Sequence, residues 1–563
     1  MAKEEATVEE LVGKIKGGDI SLPEMQRRYV WTSTRVRDLL DSLYRGYPSG
    51  TILLWETNSD VPRQGLAIEQ QENSSLTNRL LLDGQQRLTS LSAVIRGEPV
   101  IVRGRKKPIE ILFNLDHPDN LSVVTEVNEN NSEVESRIED ETDSNKDELQ
   151  ARIEQMAFVI STRKLENLPN WVKVSDVFQT DSDLKFLKKA GISNLEHPKA
   201  EKFFKRLAQL RNIKKYVYRL DVLEGSLSYE EVTEIFVRVN SLGVKLRGSD
   251  LALAQISSKW HGSLEKFQFF QNECEQDGFN LDLGIYLRNL IAFATGYSRF
   301  ETVGRLDHQQ LEEAWDESVK GMQYALNFLK ANVRIESPAL LSSPYLIIAL
   351  AYFGYQCNYL TGSREEDLAR WVLLANAKGR YSRGSSVTIL DQDLAIIREG
   401  GGAGKLLDQL RQQVGRLVIE PEELEGRNQN SALFKTMFLA FRDGGAKDWD
   451  SKIKIALDHS GTQHRLEIHH LFPKRHLKGC YTTRDMNDIA NLAFIGGKTN
   501  RKIGATPPKD YFPDFITKQG KEPFEVQCIP IDKNLFESDN YKEFLAKRRE
   551  LISERLNSFL GNS

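Results

Sequence analysis

The sequence predicts a multidomain protein of mixed α/β and α structure. Its 563 residues correspond to about three domains of ordinary size. Helix and strand signals alternate over residues 1–250, and helical signals dominate residues 251–428. Residues 429–563 carry a strand, a loop, a second strand and a short helix in that order, followed by a charged C-terminal helix. We therefore predict an α/β domain, a helical connecting domain and a small C-terminal domain.

The composition narrows the class of protein. Hydrophobic residues make up 40% and charged residues 28%, the balance of a globular chain. The four cysteines form no C-x-x-C pair, which argues against a disulfide scaffold and a thiolate zinc site and favours a cytoplasmic protein. The apolar run Tyr345–Phe353 is much shorter than the roughly 20 residues of a membrane span, so we expect a buried helix and no membrane partner.

The first domain is predicted element by element. Thr7 and Glu10 form a capping box for a helix that ends at Gly17, and a second helix runs to about Tyr44. The predicted strands are Thr51–Glu56, Arg79–Leu82, Ile111–Leu115, Ala157–Ile160 and Tyr216–Val222, with helices over Gln85–Arg96 and from Ser228 to Val239. Residues 126–148 carry ten acidic and two basic residues and no aromatic one, which predicts a solvated insertion within this domain.

Histidines are concentrated near the C-terminus. Five of the nine fall at His459, His464, His469, His470 and His476. Leu466–His470 is predicted as a strand, Ala490–Ile495 as a second strand and Gly497–Ile503 as a helix. This is the element order of a ββα-metal nuclease. Between Arg465 and Lys509 there are nine basic and three acidic residues, an excess that would attract a phosphate backbone, with Lys498, Arg501 and Lys502 on the helix.

Phosphodiester hydrolysis explains these residue types. It requires an activated water and stabilisation of the developing charge, for which a divalent metal serves. We predict His470, which Pro473 follows three residues later, as the general base. A neutral imidazole can accept a proton near pH 7. His469 and Asn500 are the predicted metal ligands, and Asn491 would hydrogen-bond to the loop that carries the base. Neutral ligands of this kind leave room for several waters, as Mg²⁺ or Mn²⁺ prefers.

Two other interpretations of the histidines remain open. The pair His469-His470 could be solvated or packed in a core without a chemical role. A structural zinc site could use nitrogens of His464, His469, His470 and His476, although no cysteine pair completes a common zinc pattern.

A second candidate site lies near the N-terminus. Arg79–Leu91 reads as a strand, an Asp-Gly turn and a helix start, a place where backbone N–H groups bind anions. Gly84 would let the backbone approach a phosphate, Arg87 would fork onto its oxygens, and Asp83 would hold a metal or a water. The candidate nucleotide-binding residues are Asp83, Gly84, Gln85, Gln86 and Arg87, with Gln26 and Arg28. The alternative is an ordinary Asp-Gly turn with Asp83 as a helix cap. The run GGGAGK (Gly400–Lys405) lacks the residues of a phosphate-binding loop and is predicted to be a turn.

The motifs together resemble a known family. His469-His470-x-x-Pro473, Asn491-Leu492 and Asn500-x-Lys502 resemble the HNH domain at the C-terminal end of GmrSD-type, modification-dependent restriction enzymes. The Asp83–Arg87 turn, the segment Glu234–Leu246 and GRYSRGS (Gly379–Ser385) resemble other parts of the same family. The resemblance implies a ParB/sulfiredoxin-like N-terminal domain that binds and hydrolyses GTP or another nucleoside triphosphate.

The resemblance also implies a function. It predicts an endonuclease that cuts or nicks foreign double-stranded DNA carrying a modified base or backbone, in defence against phages, with assembly into a homo-oligomer left open. Two alternatives stay open. One is a nucleotide-dependent DNA-binding regulator with an inactive nuclease domain, and the other is a toxin-like nuclease that acts on host nucleic acid.

Overall fold

The computed structural model divides into two compact units, Met1–Leu264 and Glu265–Ser563. It describes residues 2–23, 31–57, 63–64, 78–98, 108–119, 121, 153–194, 196–242, 248–359, 364–457, 459 and 465–561. The acidic segment 126–148 lies outside these residues. The domain boundary that the sequence predicts near residue 250 stays a prediction. The division of the remainder into a helical connector and a terminal domain stays a prediction.

The first unit is built on a mixed sheet of six strands. In chain order its elements are β1 (Ala2–Thr7), α1 (Val8–Lys16), β2 (Ile20–Pro23), α2 (Ser33–Tyr44), β3 (Ile52–Thr57), β4 (Arg63–Gln64), β5 (Asn78–Asp83), α3 (Gln85–Arg96), β6 (Ile111–Asn114), β7 (Phe158–Ile160), α4 (Arg163–Glu166), β8 (Trp171–Lys173), α5 (Val174–Gln179), α6 (Leu184–Lys189), α7 (Ala200–Arg211), β9 (Val217–Leu223), α8 (Tyr229–Leu242) and α9 (Gly248–Lys259). The large sheet has the order β1-β9-β3-β5-β2-β4, and a second sheet has the order β7-β6-β8.

Alternation along the strands gives the large sheet two buried faces. On β5, Leu81 joins the core that helices α1, α2 and α3 cover. Its neighbours Leu80 and Leu82 join a smaller core with Val232 and Phe236 of α8. Successive strand side chains point to opposite faces, so a run of apolar residues is the expected signature of a central strand covered on both sides.

The sequence predicted nine of these eighteen elements, most of them within one or two residues. Thr7 and Glu10 form the predicted capping box, and α3 has the predicted bounds. Ser228 and Glu231 exchange the expected reciprocal hydrogen bonds at the start of α8. Among the elements that the sequence missed is β1, an edge strand that pairs with β9 and has half of its residues exposed. A polar edge strand carries no hydrophobic alternation, so nothing in its composition indicates a strand.

The second unit begins with helices and contains one hairpin. Its elements are α10 (Ser263–Gln276), α11 (Leu283–Thr295), α12 (His308–Val333), α13 (Tyr345–Gln356), α14 (Arg364–Ala377), α15 (Ser386–Arg398), α16 (Ala403–Val414), α17 (Pro421–Leu424), α18 (Ala432–Asp443), β10 (Leu466–His470), α19 (Lys474–Leu477), α20 (Thr483–Met486), β11 (Leu492–Gly496), α21 (Gly497–Ile503), α22 (Pro508–Gln519), α23 (Glu522–Glu525) and α24 (Tyr541–Phe559). The apolar run at 345 is a buried helix, as predicted. The GGGAGK run joins two helices, so it lacks the preceding strand of a phosphate-binding loop.

The hairpin is held by buried polar side chains. Gln527 donates its amide N–H to the Phe494 carbonyl (2.8 Å) and accepts from the Phe494 N–H (2.9 Å), which satisfies an outer edge of β11. Arg548 of α24 is fully buried and donates to the carbonyls of Ala490 and Gln527. Phe494 packs against Phe434 of α18 with ring centroids 4.9 Å apart. These contacts fix the strand that ends at the start of α21.

Candidate functional site

The predicted nuclease residues lie on one short hairpin and the helix that follows it. Strands β10 and β11 are antiparallel, with His469 opposite Ala493 and His470 opposite Leu492. The strand Leu466–His470 and the helix Gly497–Ile503 have the predicted bounds. Because side chains alternate along a strand, Glu467 and His469 share one face of β10, and Ile468 and His470 share the other.

His469 meets Asn500 across the junction of strand and helix. The imidazole Nδ1 lies 2.8 Å from the Asn500 Oδ1. The ring is buried against Trp449 and Tyr511, with centroids 5.9 Å and 5.8 Å away. Burial lowers the pKa of His469 to about 4, so the imidazole is neutral at pH 7 and keeps a lone pair for a ligand.

Glu467 joins this pair, and sequence reasoning missed it. Its Oε2 accepts a hydrogen bond from the Asn500 Nδ2 at 2.6 Å, and its Oε1 lies 3.8 Å from Arg501. A carboxylate therefore stands beside the amide that the sequence predicts as a metal ligand. The position of Glu467, two residues before His469 on a strand, was the available signal.

Tyr511 contacts the far side of the His469 ring. Its Oη lies 3.4 Å from His469 Nε2 and donates to the Leu471 carbonyl at 3.0 Å. With its single proton committed to Leu471, Tyr511 can accept from His469 Nε2–H. In that tautomer the Nδ1 lone pair of His469 faces the Asn500 oxygen, an arrangement of two acceptors that a cation stabilises.

The donor atoms fit a hard divalent cation. Neighbouring ligands at right angles on Mg²⁺, each with a bond of about 2.1 Å, are about 3 Å apart, close to the 2.8 Å between His469 Nδ1 and Asn500 Oδ1. The amide oxygen of Asn500 is of the kind that Mg²⁺ and Mn²⁺ prefer, and an imidazole nitrogen such as that of His469 suits transition metals more generally. Within the described residues, no three His, Cys, Asp or Glu side chains cluster to hold a metal.

The structural zinc alternative loses two of its four proposed ligands. The imidazole of His476 contacts the Ala505 carbonyl at 2.9 Å, and the imidazole of His470 lies on the opposite face of the strand from His469. His464 lies outside the described residues.

His470 is half-buried on the opposite face of β10. Its Nε2 lies 3.3 Å from the Asn487 Oδ1. Burial, aided by the positive charge of Lys474, lowers the pKa of His470 to about 4. The ring is therefore neutral at pH 7 and able to accept a proton from a water molecule.

Asn491 clamps the loop that follows His470. Its Oδ1 accepts from the Phe472 N–H at 2.8 Å, and its Nδ2 donates to the carbonyls of Phe472 (3.1 Å) and Met486 (3.0 Å). The Asn491 carbonyl also accepts from the Leu471 N–H at 2.8 Å. The side chain is fully buried, so these bonds hold the backbone next to His470 in one conformation.

Asp448 supports the start of α21 and was also missed. Its carboxylate accepts from the Gly496 N–H at 2.6 Å and from the Thr499 hydroxyl at 2.7 Å. A carboxylate at a helix N-terminus stabilises the helix, and here it fixes the turn that carries Asn500.

The basic residues of α21 differ in their partners. Lys498 is exposed. Lys502 pairs with Asp450 at 2.7 Å, and Arg501 reaches toward Glu467. All three lie on the helix of the candidate metal site, where a phosphate backbone would pass.

The N-terminal candidate site has a different character. Arg87 donates to the carbonyls of Ser49 (2.6 Å) and Thr51 (2.8 Å) and pairs with Asp83 at 2.9 Å. Gly84 caps α3 with a left-handed φ of 97°, a conformation that suits glycine. The guanidinium therefore braces the preceding loop, and the expected fork onto phosphate would have to compete with these bonds.

The remaining residues of that site are only partly placed. Gln85 and Gln86 occupy the first turn of α3, and the Gln86 Oε1 accepts from the Trp31 N–H at 3.1 Å. Gln26 and Arg28 lie outside the described residues. In GRYSRGS, Arg380 and Tyr381 donate hydrogen bonds to the buried Asp393. This loop is therefore part of the packed interior of the second unit.

The comparisons with known proteins bear on the first unit and on the whole chain. Residues 8–257 match the family model described as the N-terminal domain of GmrSD restriction endonuclease. The match supports a restriction-type nuclease, for which DNA is the substrate. An uncharacterized protein of Methanocaldococcus jannaschii is 22% identical over 97% of this chain and 97% of its own length. Among the described residues, no helix is both long and apolar enough to cross a membrane.

Proposed function

We propose that the chain is a metal-dependent HNH-type endonuclease that cuts or nicks foreign double-stranded DNA carrying a base or backbone modification. The observation that carries the proposal is the hairpin of β10 and β11, with His469 facing Asn500 on one side and a neutral His470 on the other. The GmrSD match over residues 8–257 adds independent support for a restriction-type nuclease.

The proposed chemistry follows from the positions of the side chains. His470 takes a proton from water, the water oxygen attacks phosphorus, and the bond from phosphorus to the leaving oxygen breaks as that oxygen gains a proton. Asn491 keeps the loop after His470 in place during this step. His469 and Asn500 would hold Mg²⁺ or Mn²⁺, which supplies charge stabilisation for the phosphate oxygens. Lys498, Arg501 and Lys502 would contact the DNA backbone.

The first unit has the sensing role in this proposal. It would bind GTP or another nucleoside triphosphate around Asp83, Gly84, Gln85 and Gln86, with Arg87 bracing the turn. Gln26 and Arg28 stay predicted nucleotide-binding residues. The described residues contain one candidate nuclease site, so a double-strand cut would require a homo-oligomer or two successive nicks. The proposed compartment is the cytoplasm, where incoming DNA and nucleotide are both present.

One experiment tests the proposal. The full chain is incubated with Mn²⁺ and with plasmids that are unmodified, carry modified cytosines or carry phosphorothioate linkages, each with and without GTP. We expect cleavage of one modified plasmid in preference to the unmodified one, and a change in rate with nucleotide. Cleavage of none of them overturns the nuclease proposal. Equal cleavage of all, with toxicity on expression, would support the toxin-like alternative.

A further inference from the structure

Glu467 contacts the side-chain amide nitrogen of Asn500 and not the amide oxygen. The distance from Asn500 Nδ2 to Glu467 Oε2 is 2.6 Å, short for a neutral donor and typical of a charge-assisted hydrogen bond. Glu467 is about two-thirds buried, because its side chain retains 32% of its exposure. The same amide presents its oxygen to His469. One amide therefore bridges a carboxylate and an imidazole.

The two ends of an amide are chemically opposite. A side-chain amide has one oxygen that accepts and one nitrogen that donates, and a rotation of 180° exchanges them. An ionised carboxylate only accepts, so it is compatible with the amide nitrogen and repels the amide oxygen. His469 does not make this choice, because a neutral imidazole nitrogen can donate or accept depending on its tautomer. Of the two partners Glu467 and His469, only Glu467 therefore determines which end of the Asn500 amide faces His469.

We propose that Glu467 is a positioning residue that holds the Asn500 oxygen toward the metal site, an inference that rests on the proposed function. Without the carboxylate, the amide is free to rotate and donate to the lone pair of His469. That rotation would place an N–H group, which cannot bind a cation, where a ligand oxygen is needed. Partners behind the ligands of metal sites commonly act in this way.

A direct ligand role for Glu467 is the competing explanation. The Glu467 Oε2 accepts a hydrogen bond from Asn500, and the Glu467 Oε1 lies 3.8 Å from Arg501. Each carboxylate oxygen therefore already has a partner that would compete with a metal ion. The two roles predict different results when the amide is replaced by a carboxylate. A carboxylate at position 500 has two equivalent oxygens and needs no orientation.

The test is a double-mutant cycle read by Mn²⁺ binding. Calorimetry of the full chain, without DNA, measures Mn²⁺ affinity for the wild type, Glu467→Gln, Asn500→Asp and the double variant. Glutamine keeps the shape of Glu467 but can donate to the amide oxygen, so rotation becomes possible. We expect Glu467→Gln to weaken Mn²⁺ binding about 10- to 100-fold in the wild-type background. In the Asn500→Asp background it should cost nothing or improve binding, because it removes repulsion between two carboxylates.

Each outcome has a distinct meaning. Equal losses in both backgrounds would overturn the positioning role in favour of direct ligation. Unchanged affinity in Glu467→Gln, with Mn²⁺ bound by the wild type, would overturn this inference and leave the nuclease proposal standing. A wild type that binds no Mn²⁺ would overturn both. Glu537→Gln, an exposed glutamate paired with Lys509, is the matched control, and thermal melting of every variant separates loss of the site from loss of the fold.

Discussion

The Oδ1 of Asn500 lies 2.8 Å from the Nδ1 of His469, although the two residues are 31 positions apart in the sequence. The first residue belongs to the helix α21 and the second to the strand β10. Their meeting depends on the antiparallel pairing of β10 with β11, which returns the chain to the start of α21 beside His469. The proposed metal site is therefore a property of the hairpin and helix together.

Replacing Asn500 should change the response to metal. With Asn500→Ala, the proposed site loses one of its ligands, so we expect half-maximal DNA cleavage to require at least about tenfold more Mn²⁺. The measurement is the cleavage rate against Mn²⁺ concentration for the wild type and the variant. Excess EDTA should abolish cleavage by both proteins. Full activity in EDTA would exclude the proposed metal-dependent mechanism.

Removing the clamp at Asn491 should affect both catalysis and stability. Asn491→Ala leaves the Phe472 N–H and two carbonyls without their partner in a buried place, which costs about 1–3 kcal/mol in the free energy of unfolding. The loop next to His470 is then free to move, and we expect the cleavage rate at saturating DNA to fall about 100-fold.

The control for Asn491 is Asn430→Ala. Asn430 is an exposed asparagine of the same unit. Urea unfolding and single-turnover cleavage are measured for both variants. If Asn491→Ala loses stability yet cleaves at the wild-type rate under conditions where it is folded, the clamp has no part in catalysis.

Replacing Arg87 should lower the stability of the fold, whether or not Arg87 also contacts a nucleotide. Arg87→Ala deprives the Ser49 and Thr51 carbonyls and the Asp83 carboxylate of their shared donor, with an expected loss of about 1–3 kcal/mol in the free energy of unfolding. Denaturant unfolding tests the stability, and a GTPase assay below the melting temperature tests the chemistry. A stable variant without GTPase activity would show that Arg87 acts on the nucleotide and not as a brace.

The stability of the first unit should depend on pH through His117. Its Nε2 accepts from the Tyr44 hydroxyl at 3.0 Å, its Nδ1 donates to the Pro118 carbonyl, and burial lowers its pKa to about 4. Between about pH 6.5 and pH 4 the unfolded chain binds a proton that the folded chain does not, so the free energy of unfolding falls as the pH drops through this range.

The expected size of this effect is about 2–3 kcal/mol, because the folded chain takes up the proton only near pH 4. It is measured as the difference in urea stability between pH 7.5 and pH 4.5. His117→Gln should remove this part of the dependence, and His197→Gln, at an exposed histidine of the same unit, should leave it unchanged. Parallel pH curves for the wild type and His117→Gln would contradict the assignment.

The sequence predicted those parts of the fold and site that local patterns encode. The strand Leu466–His470, the helix Gly497–Ile503 and the capping boxes follow from alternation, periodicity and capping residues within a few positions. The roles of Glu467 and Asp448 depend on contacts over 33 and 48 residues, which no local pattern reveals. For Arg87, the local motif predicted a phosphate contact, but in the fold the guanidinium donates to the carbonyls of Ser49 and Thr51.

The most direct test of the account is the cleavage activity of His470→Ala. Full-length wild type, His470→Ala and the exposed-histidine control His308→Ala are compared on the preferred plasmid with Mn²⁺, and DNA affinity is measured by fluorescence anisotropy. A general base lowers the barrier and not the binding energy, so His470→Ala should cleave about 100- to 10,000-fold more slowly with DNA affinity within about twofold of the wild type. Cleavage by His470→Ala at the rate of His308→Ala would contradict the central claim that this hairpin carries the nuclease chemistry.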